Sequence, residues 1–372
     1  MAKQRCKDTT VDSFFGRFLF EQKVPRSHFL RKLDEVIEWG RFSKRLLGYY
    51  EGKGELGQAP YEPVLILKML LLSYLYNISE RQVEELANDS LSVACFLGVG
   101  ADEKAPDHAT LTLFKKRLLE RGGARAYEGM FNEILKRARE QGIKLGPIQI
   151  VDSVHVIADV NLRKDKVRQK KGRGPRDADA TWGAKGEKIE EGKDGPEKKT
   201  EYFYGYKDQV SVNALTELVT SVVPGRGNDY DGHHLKKVVQ KDLAKGIKPE
   251  TVAADRGYDD GENHFYLKEK GIHSAIRLNR YRTEKKDKNR EVWLKLKGSA
   301  EYEEGLRERY KVERKLGEAK KWHGFGRCRY VGFLRHAIQT YLTFMALNLK
   351  RLVKLLSGVN FRGEPTLRLK SG

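Results

Sequence analysis

Ile148-Gln149-Ile150-Val151-Asp152-Ser153-Val154-His155-Val156-Ile157 alternates so that Ile148, Ile150, Asp152, Val154 and Val156 share one strand face, with Val151 and Ile157 on the other. Apolar residues on both faces predict a central strand buried on both sides. An unpaired carboxylate at Asp152 then costs on the order of several kcal/mol, so something cationic is expected to neutralise it. Asp159, seven positions on, falls on the opposite face if the strand continues and reads as a strand-end or loop residue.

Around Gly146-Pro147, just before this strand, the hydrophobic period changes. Upstream, from about Val11 to Lys144, the spacing is helical. Pro63 fits the first turn of a helix running to about Tyr76. Ser79 with Gln82 makes a capping box for the next helix, so a very short turn separates the two as in a helix-turn-helix pair. Pro106-Asp107-His108-Ala109-Thr110-Leu111 opens another helix, with Leu111, Phe114 and Leu118 on one face and Lys115, Lys116 and Arg117 beside it.

Downstream, strands are expected at 148–157, 202–213, 217–223, 251–255 and 273–278, with helices at about 231–245, 260–270, 306–322 and 333–356. Three strands in succession followed by alternating helix and strand give a mixed α/β (α+β) fold, a five-stranded mixed sheet with flanking helices. The expected organisation is an all-helical N-terminal domain at 1–145, a sheet domain at 146–358 and a tail at 359–372. Residues 163–199, rich in Lys, Arg, Gly and Asp and almost free of aliphatic side chains, predict a long mobile excursion.

Two further acids have distinctive settings. Asp255 follows the short strand Thr251-Val252-Ala253-Ala254, and Gly257 permits a sharp exit from the sheet. Asp259 and Asp260 stand closer to the next helix and are better candidates to cap it. Arg309, Glu313 and Lys320 lie at offsets of four and seven and project from one helix face, although Glu with Arg at that spacing is also an everyday surface pair. Three acids converging in one pocket would repel one another and raise their pKa values unless divalent cations occupied the site. Oxygen ligands without a His or Cys cluster favour Mg²⁺ or Mn²⁺, and two such ions about 3.5–4 Å apart suit phosphodiester chemistry. No organic cofactor is needed, and the lack of a G-x4-G-K-[ST] loop argues against a built-in ATPase.

Composition narrows the partners. A chain of 372 residues with 39% hydrophobic content has room for two domains with proper cores. Its 72 Lys and Arg against 52 Asp and Glu give a net charge of +20, which favours a polyanion. The most apolar segment, Val64 to Tyr76, is too short to span a bilayer and contains Lys68 and Ser73. No apolar signal core follows Met1-Ala2-Lys3-Gln4-Arg5. Cys6, Cys95 and Cys328 are odd in number and far apart, which points to a reducing cytoplasm.

Together these residues resemble bacterial insertion-sequence transposases of the DDE superfamily, whose catalytic core is ribonuclease-H-like. The resemblance rests on Val151-Asp152-Ser153-Val154-His155, Tyr204-Gly205-Tyr206-Lys207, Ala254-Asp255-Arg256-Gly257-Tyr258, and the R-x3-E-x6-K signature of Arg309, Glu313 and Lys320. Arg327-Cys328-Arg329-Tyr330-Val331-Gly332 and Ala346-Leu347-Asn348-Leu349-Lys350-Arg351-Leu352 are similar to the same family's C-terminus, and the helix at Pro106-Asp107 to its N-terminal domain. The resemblance implies that Asp152, Asp255 and Glu313 are the catalytic, metal-binding triad and that Arg309 and Lys320 steady DNA phosphates. Lys207 and Arg256, inside the matching motifs, are further DNA-binding candidates. Leu306 stands where members often carry Tyr, and about thirty residues between the last expected strand and Glu313 leave no room for a β-rich insertion domain.

The implied activity is Mg²⁺-dependent cleavage at transposon ends, then attack of the freed 3′-hydroxyl on target DNA. A stand-alone nuclease of the same fold, or a transposase-derived DNA-binding protein, are the alternatives. The implied partners are terminal inverted repeats and target DNA, bound by a homodimer or higher assembly at the bacterial nucleoid.

Basic density peaks at 163–176, 280–290 and 307–329, and phosphate contacts are expected there. Trp182, Trp293 and Trp322 lie among charged residues, where ordinary packing is expected ahead of stacking on an unpaired base. His155 points to the other strand face from Asp152 and is expected to support the site rather than bind metal. Asp177 and Asp179 are expected to offset the charge of the basic excursion.

Overall fold

The computed structural model describes Cys6 and residues 14–50, 59–192 and 195–361. The chain divides into two compact units, one reaching Ile143 and resuming at Leu342, the other Lys144–Tyr341. The first contains helices α1 (Phe14–Lys23), α2 (Phe29–Val36), α3 (Trp39–Leu47), α4 (Pro63–Leu75), α5 (Glu80–Asp89), α6 (Leu91–Leu97) and α7 (His108–Glu140). The expected helical pattern at 11–13 lies outside the described residues.

Local signals are realised closely. Pro63 opens α4, Ser79 and Gln82 form a reciprocal capping box on α5, and Asp107 caps α7 by accepting from the Thr110 N–H at 2.7 Å. Leu111, Phe114 and Leu118 are buried on one face of α7, as their spacing predicts. All thirteen residues of α4 are buried, so it is the centre of this unit. Its Lys68 is tolerated because Asp34 and the Phe96 carbonyl accept from Nζ at 2.6 and 2.7 Å.

The second unit begins with β1 (Ile148–Ile157), α8 (Leu162–Lys170), β2 (Thr181–Gly192), β3 (Gly195–Asn213), β4 (Val219–Val223) and α9 (Leu235–Ala244). It continues through β5 (Thr251–Ala254), α10 (Gly261–Glu269), β6 (His273–Ile276), α11 (Arg290–Lys297), α12 (Ala300–Glu308), α13 (Tyr310–Trp322) and α14 (Phe333–Ser357). The strand order is β2-β3-β1-β5-β6, with β4 also paired to β3. Strand β1 is antiparallel to β3 and parallel to β5, and β5 is parallel to β6, giving the expected ribonuclease-H-like mixed sheet. Val151, Val252 and Ala254 pack with α9 and α10 in one apolar cluster, while Ala253 and Ala275 pack with Trp293 and Tyr302 in another.

Four expectations are corrected. The sheet has six strands, because β2 adds to the long β3. The supposed mobile excursion at 163–199 contains α8 and β2 instead; residues 193–194 lie outside the described residues. Buried carboxylates supply the order that aliphatic side chains do not. Asp165 accepts from the Arg176 N–H at 2.8 Å, and Asp177 accepts from the Tyr206 hydroxyl at 2.8 and 2.9 Å and the Gly332 N–H at 3.2 Å. Asp179 accepts from the Phe333 N–H at 3.0 Å at the start of α14. These two acids therefore fasten the chain rather than dilute its charge.

The helix expected at 306–322 is broken at Arg309, where the backbone bonds stretch to 3.4 Å toward Leu306 and 3.5 Å from Glu313. Finally, the division between units falls inside α14 rather than at 358. Beyond Leu342 the helix is strongly apolar, and Phe361 packs edge-on against Phe29 at 4.9 Å and Tyr76 at 5.2 Å. Residues 362–372 of the expected tail lie outside the described residues.

Two glycines set the packing. A Cβ at Gly205 would lie 2.0 Å from the Val156 carbonyl oxygen, and one at Gly305 on α12 would lie 2.5 Å from Ala275 Cβ on β6. Gly305→Ala is expected to destabilise the protein by about 1–3 kcal/mol in urea unfolding, and an unchanged midpoint would contradict this packing. Tyr206→Phe, which strips a hydroxyl donor from buried Asp177, is expected to cost about 1–3 kcal/mol; a neutral result would mean that Asp177 does not depend on it.

Candidate active site

The register of the parallel strands determines where the first two acids stand. The last registered pair of β1 and β5 is Val151 opposite Ala254. One residue beyond each lie Asp152 and Asp255, at the same level on neighbouring strands; Asp152 stays within β1, paired to β3, whereas Asp255 lies just past the end of β5. Because β5 stops at Ala254, the edge of β1 beside Asp152 opens, and Asp152 is half-buried rather than enclosed. Its Oδ1 accepts from the Ser153 N–H at 2.8 Å. Burial raises its carboxyl pKa to about 6, with Asp255 and Asp231 adding repulsion while the Ser153 N–H and Arg309 oppose the shift. Asp255 makes no side-chain cap, whereas Asp260 caps α10 by accepting from the Glu262 N–H at 3.0 Å.

Arg309 joins the second acid to the third. Its guanidinium lies 3.4 Å from Asp255 and 3.5 Å from Glu313, spanning the gap between the end of β5 and the first turn of α13. The Arg309 side chain is 11% exposed, against 47% for Asp255 and 60% for Glu313. Its Nε is buried without a hydrogen-bond partner. Among the described residues, no three His, Cys, Asp or Glu side chains are close enough to form a metal cage. Asp152, Asp255 and Glu313 offer carboxylate oxygens only, the chemistry that would suit a hard divalent cation.

Lys320 points back toward β1, with Nζ 3.4 Å from His155 Nε2. Burial, reinforced by Lys320 and Lys185, pushes the His155 ring down to about 4, so near neutrality it is an uncharged acceptor. Burial also lowers the Lys320 pKa, helped by Lys185 and opposed by Asp152. Lys207 is turned inward onto Asp231 at 3.1 Å, while Arg256 is exposed. Asp159 forms an ion pair with Arg327 at 3.4 Å, away from the triad's contacts.

Sequence reasoning missed Asp231 and its support. Gln209 Nε2 donates to Asp231 at 2.8 Å, and the fully buried Tyr258 hydroxyl donates to Gln209 Oε1. A Cβ at Gly257 would stand 3.3 Å from Asp231 Oδ2, so this glycine also makes room for the acid. Asp231 belongs to a short 3-10 turn, Asp231–His234, where no strand or helix period marks it.

Helix α13 carries one more unusual residue. Gly317 lies four residues after Glu313 and three before Lys320, hence on their face. Among the described residues a Cβ there would have no atom within 4 Å, and an interior helical glycine costs roughly 0.5–1 kcal/mol relative to alanine. Of the tryptophans, only Trp293 is buried, stacked on His264 at 4.7 Å; Trp182 and Trp322 are 52% and 60% exposed, with Trp182 packed against the Tyr204 ring at 5.4 Å. Leu306 packs beside Ala253 and Ala275 in the position where the resemblance leads one to expect Tyr.

Comparison with known families agrees with this geometry. Residues 18–117 match the family described as "Transposase domain (DUF772)", and residues 148–349 match "Transposase DDE domain". A solved chain, "Cryo-EM structure of piggyBac transposase synaptic complex with hairpin DNA (SNHP)", aligns over 76% of this chain at 12% identity and a TM-score of 0.30. This chain spans 55%, about half, of that one. The second family match covers more than half of the sequence and contains Asp152, Asp255, Arg309, Glu313 and Lys320: the chain belongs to the DDE transposase family.

Proposed function

We propose that the protein is a DNA transposase, cutting DNA at the ends of its element and joining the freed 3′-hydroxyl to a target phosphodiester. The observation that carries this reading is the single guanidinium of Arg309 linking Asp255 to Glu313 beside Asp152. DDE transposases generally use divalent metal ions. Asp152, Asp255 and Glu313 are the residues that would hold Mg²⁺ or Mn²⁺, two ions by the chemistry of the reaction. Bound there, the metal supplies activation of the attacking oxygen and stabilisation of the leaving one.

The protein's own groups do the rest. Arg309, released from its two acids, presents its guanidinium to a phosphate, and Lys320, held by neutral His155, presents a second cation. Arg256 is exposed and available to the backbone, whereas Lys207 serves first to hold Asp231. Recognition of the terminal repeats is assigned to the helical N-terminal unit, and pairing of two ends to a dimer or higher assembly on DNA. No described helix is long and apolar enough to cross a membrane, and the +20 charge suits DNA.

Asp152→Asn is expected to abolish Mg²⁺-dependent cleavage of DNA from the element's ends; cleavage at the wild-type rate would refute the assignment. The same variant has a stability signature without metal. The folded carboxyl titrates at about 6 and the unfolded one near 3.9, so between these values the folded protein holds a proton that the unfolded chain releases. Stability therefore falls as pH rises through that window. The variant is expected to melt above wild type at about pH 8 and level with it at about pH 4; a lower melting point at pH 8 would show that the charge is compensated. Lys320→Ala is expected to reduce the slope of log K against log salt by about 0.9 for each phosphate that Lys320 neutralises, and an unchanged slope would remove Lys320 from the interface.

A further inference from the structure

We infer that the substrate's sugar-phosphate backbone crosses α13 in close contact at Gly317, and that this position is glycine because any side chain would hold the strand off. The inference rests on the DNA-processing reading above and extends it to a residue with no charge or hydrogen-bonding group of its own.

Glycine is not required at 317 by the fold. Its backbone is helical, outside the positive-φ positions where glycine is favoured, and among the described residues no atom would meet a Cβ. Contrast Gly122 and Gly305, where a Cβ would fall 2.6 Å from the Tyr49 ring and 2.5 Å from Ala275. Those two are explained by packing inside the protein; Gly317, like Gly40 near the start of α3, has no such contact among the described residues, but it alone of the two lies in the middle of its helix between the cations of the candidate site, where the open space can admit a partner.

The face around it identifies the partner's chemistry. Gly317 is exposed and lies between Glu313 and Lys320 on one helix face, with exposed Arg314 and Lys321 adjoining. Arg314 is steadied by Glu217 at 2.6 Å and Lys320 by His155 at 3.4 Å, so cations flank the glycine at fixed places. Cations on both sides of a bare stretch of helix complement a phosphodiester strand lying across it, with the scissile region at Glu313.

The test compares Gly317→Ala and Gly317→Leu with wild type, using the full chain, Mg²⁺ and duplex DNA from the ends of the element that carries its gene. The alanine variant is expected to melt about 2 °C higher, as a better helix former. Both variants are expected to bind and cleave more weakly, with the leucine variant losing about a hundredfold in cleavage rate. A marked fall in melting temperature in the alanine variant would show that the glycine serves the fold, and wild-type binding and cleavage in the leucine variant would show that nothing approaches it; either overturns the inference. If wild type itself fails to cleave, the transposase reading falls and takes this inference with it; if wild type and the leucine variant cleave alike, only the close approach at Gly317 falls.

Discussion

Arg309 stands between two carboxylates from different parts of the sheet domain, and the arrangement of the site depends on that pair of contacts. Asp255 directly follows β5 and Glu313 lies in the first turn of α13, and the shared guanidinium offsets the repulsion between their like charges. The strength of the contacts matters as much as their presence. Both acids are about half exposed, and an ion pair of that kind is worth about 1 kcal/mol or less. A divalent cation can therefore draw both carboxylates off the guanidinium. Under the proposed reading, Arg309 would then be free to meet a phosphate, which would link metal binding to substrate binding.

The sheet supplies the rigidity that this exchange needs. Asp152 and Asp255 are fixed by the register of two parallel strands, one step past Val151 and Ala254. Gly305 lets α12 lie directly on β6, and α12 leads through Arg309 into α13, so the third acid inherits its position from close packing. Lys207 and Gln209, the latter bonded in turn by the Tyr258 hydroxyl, hold Asp231, whose charge adds to the repulsion on Asp152.

Much of this was legible in the sequence where one local rule dominates. β1 was readable to the residue because a β-branched run buried on both sides fits only a central strand, and its interrupting acid was conspicuous for the same reason. The caps at Ser79 and Asp107 were readable because capping is local chemistry. The break at Arg309 was not, since its backbone stays in helical space and only the hydrogen bonds lengthen. The order of residues 163–180 was hidden because it comes from Asp165 and Asp177 bonding to distant partners, which composition does not record. Asp231 gave no signal at all, being brought to the triad by a turn. The roles of Asp255 and Glu313 came from strand-end position and motif resemblance; their shared guanidinium is visible only in three dimensions.

The central claim is that Asp152, Asp255 and Glu313 close on the same metal ions. The most direct measurement replaces Mg²⁺ with Fe²⁺ and generates hydroxyl radicals at the bound metal, which cut the polypeptide where it lies nearest the ion. The account predicts cuts at three separated places, around Asp152, Asp255 and Glu313, all suppressed by excess Mg²⁺. Cuts at one of these places alone, or at sites that Mg²⁺ does not protect, would contradict it.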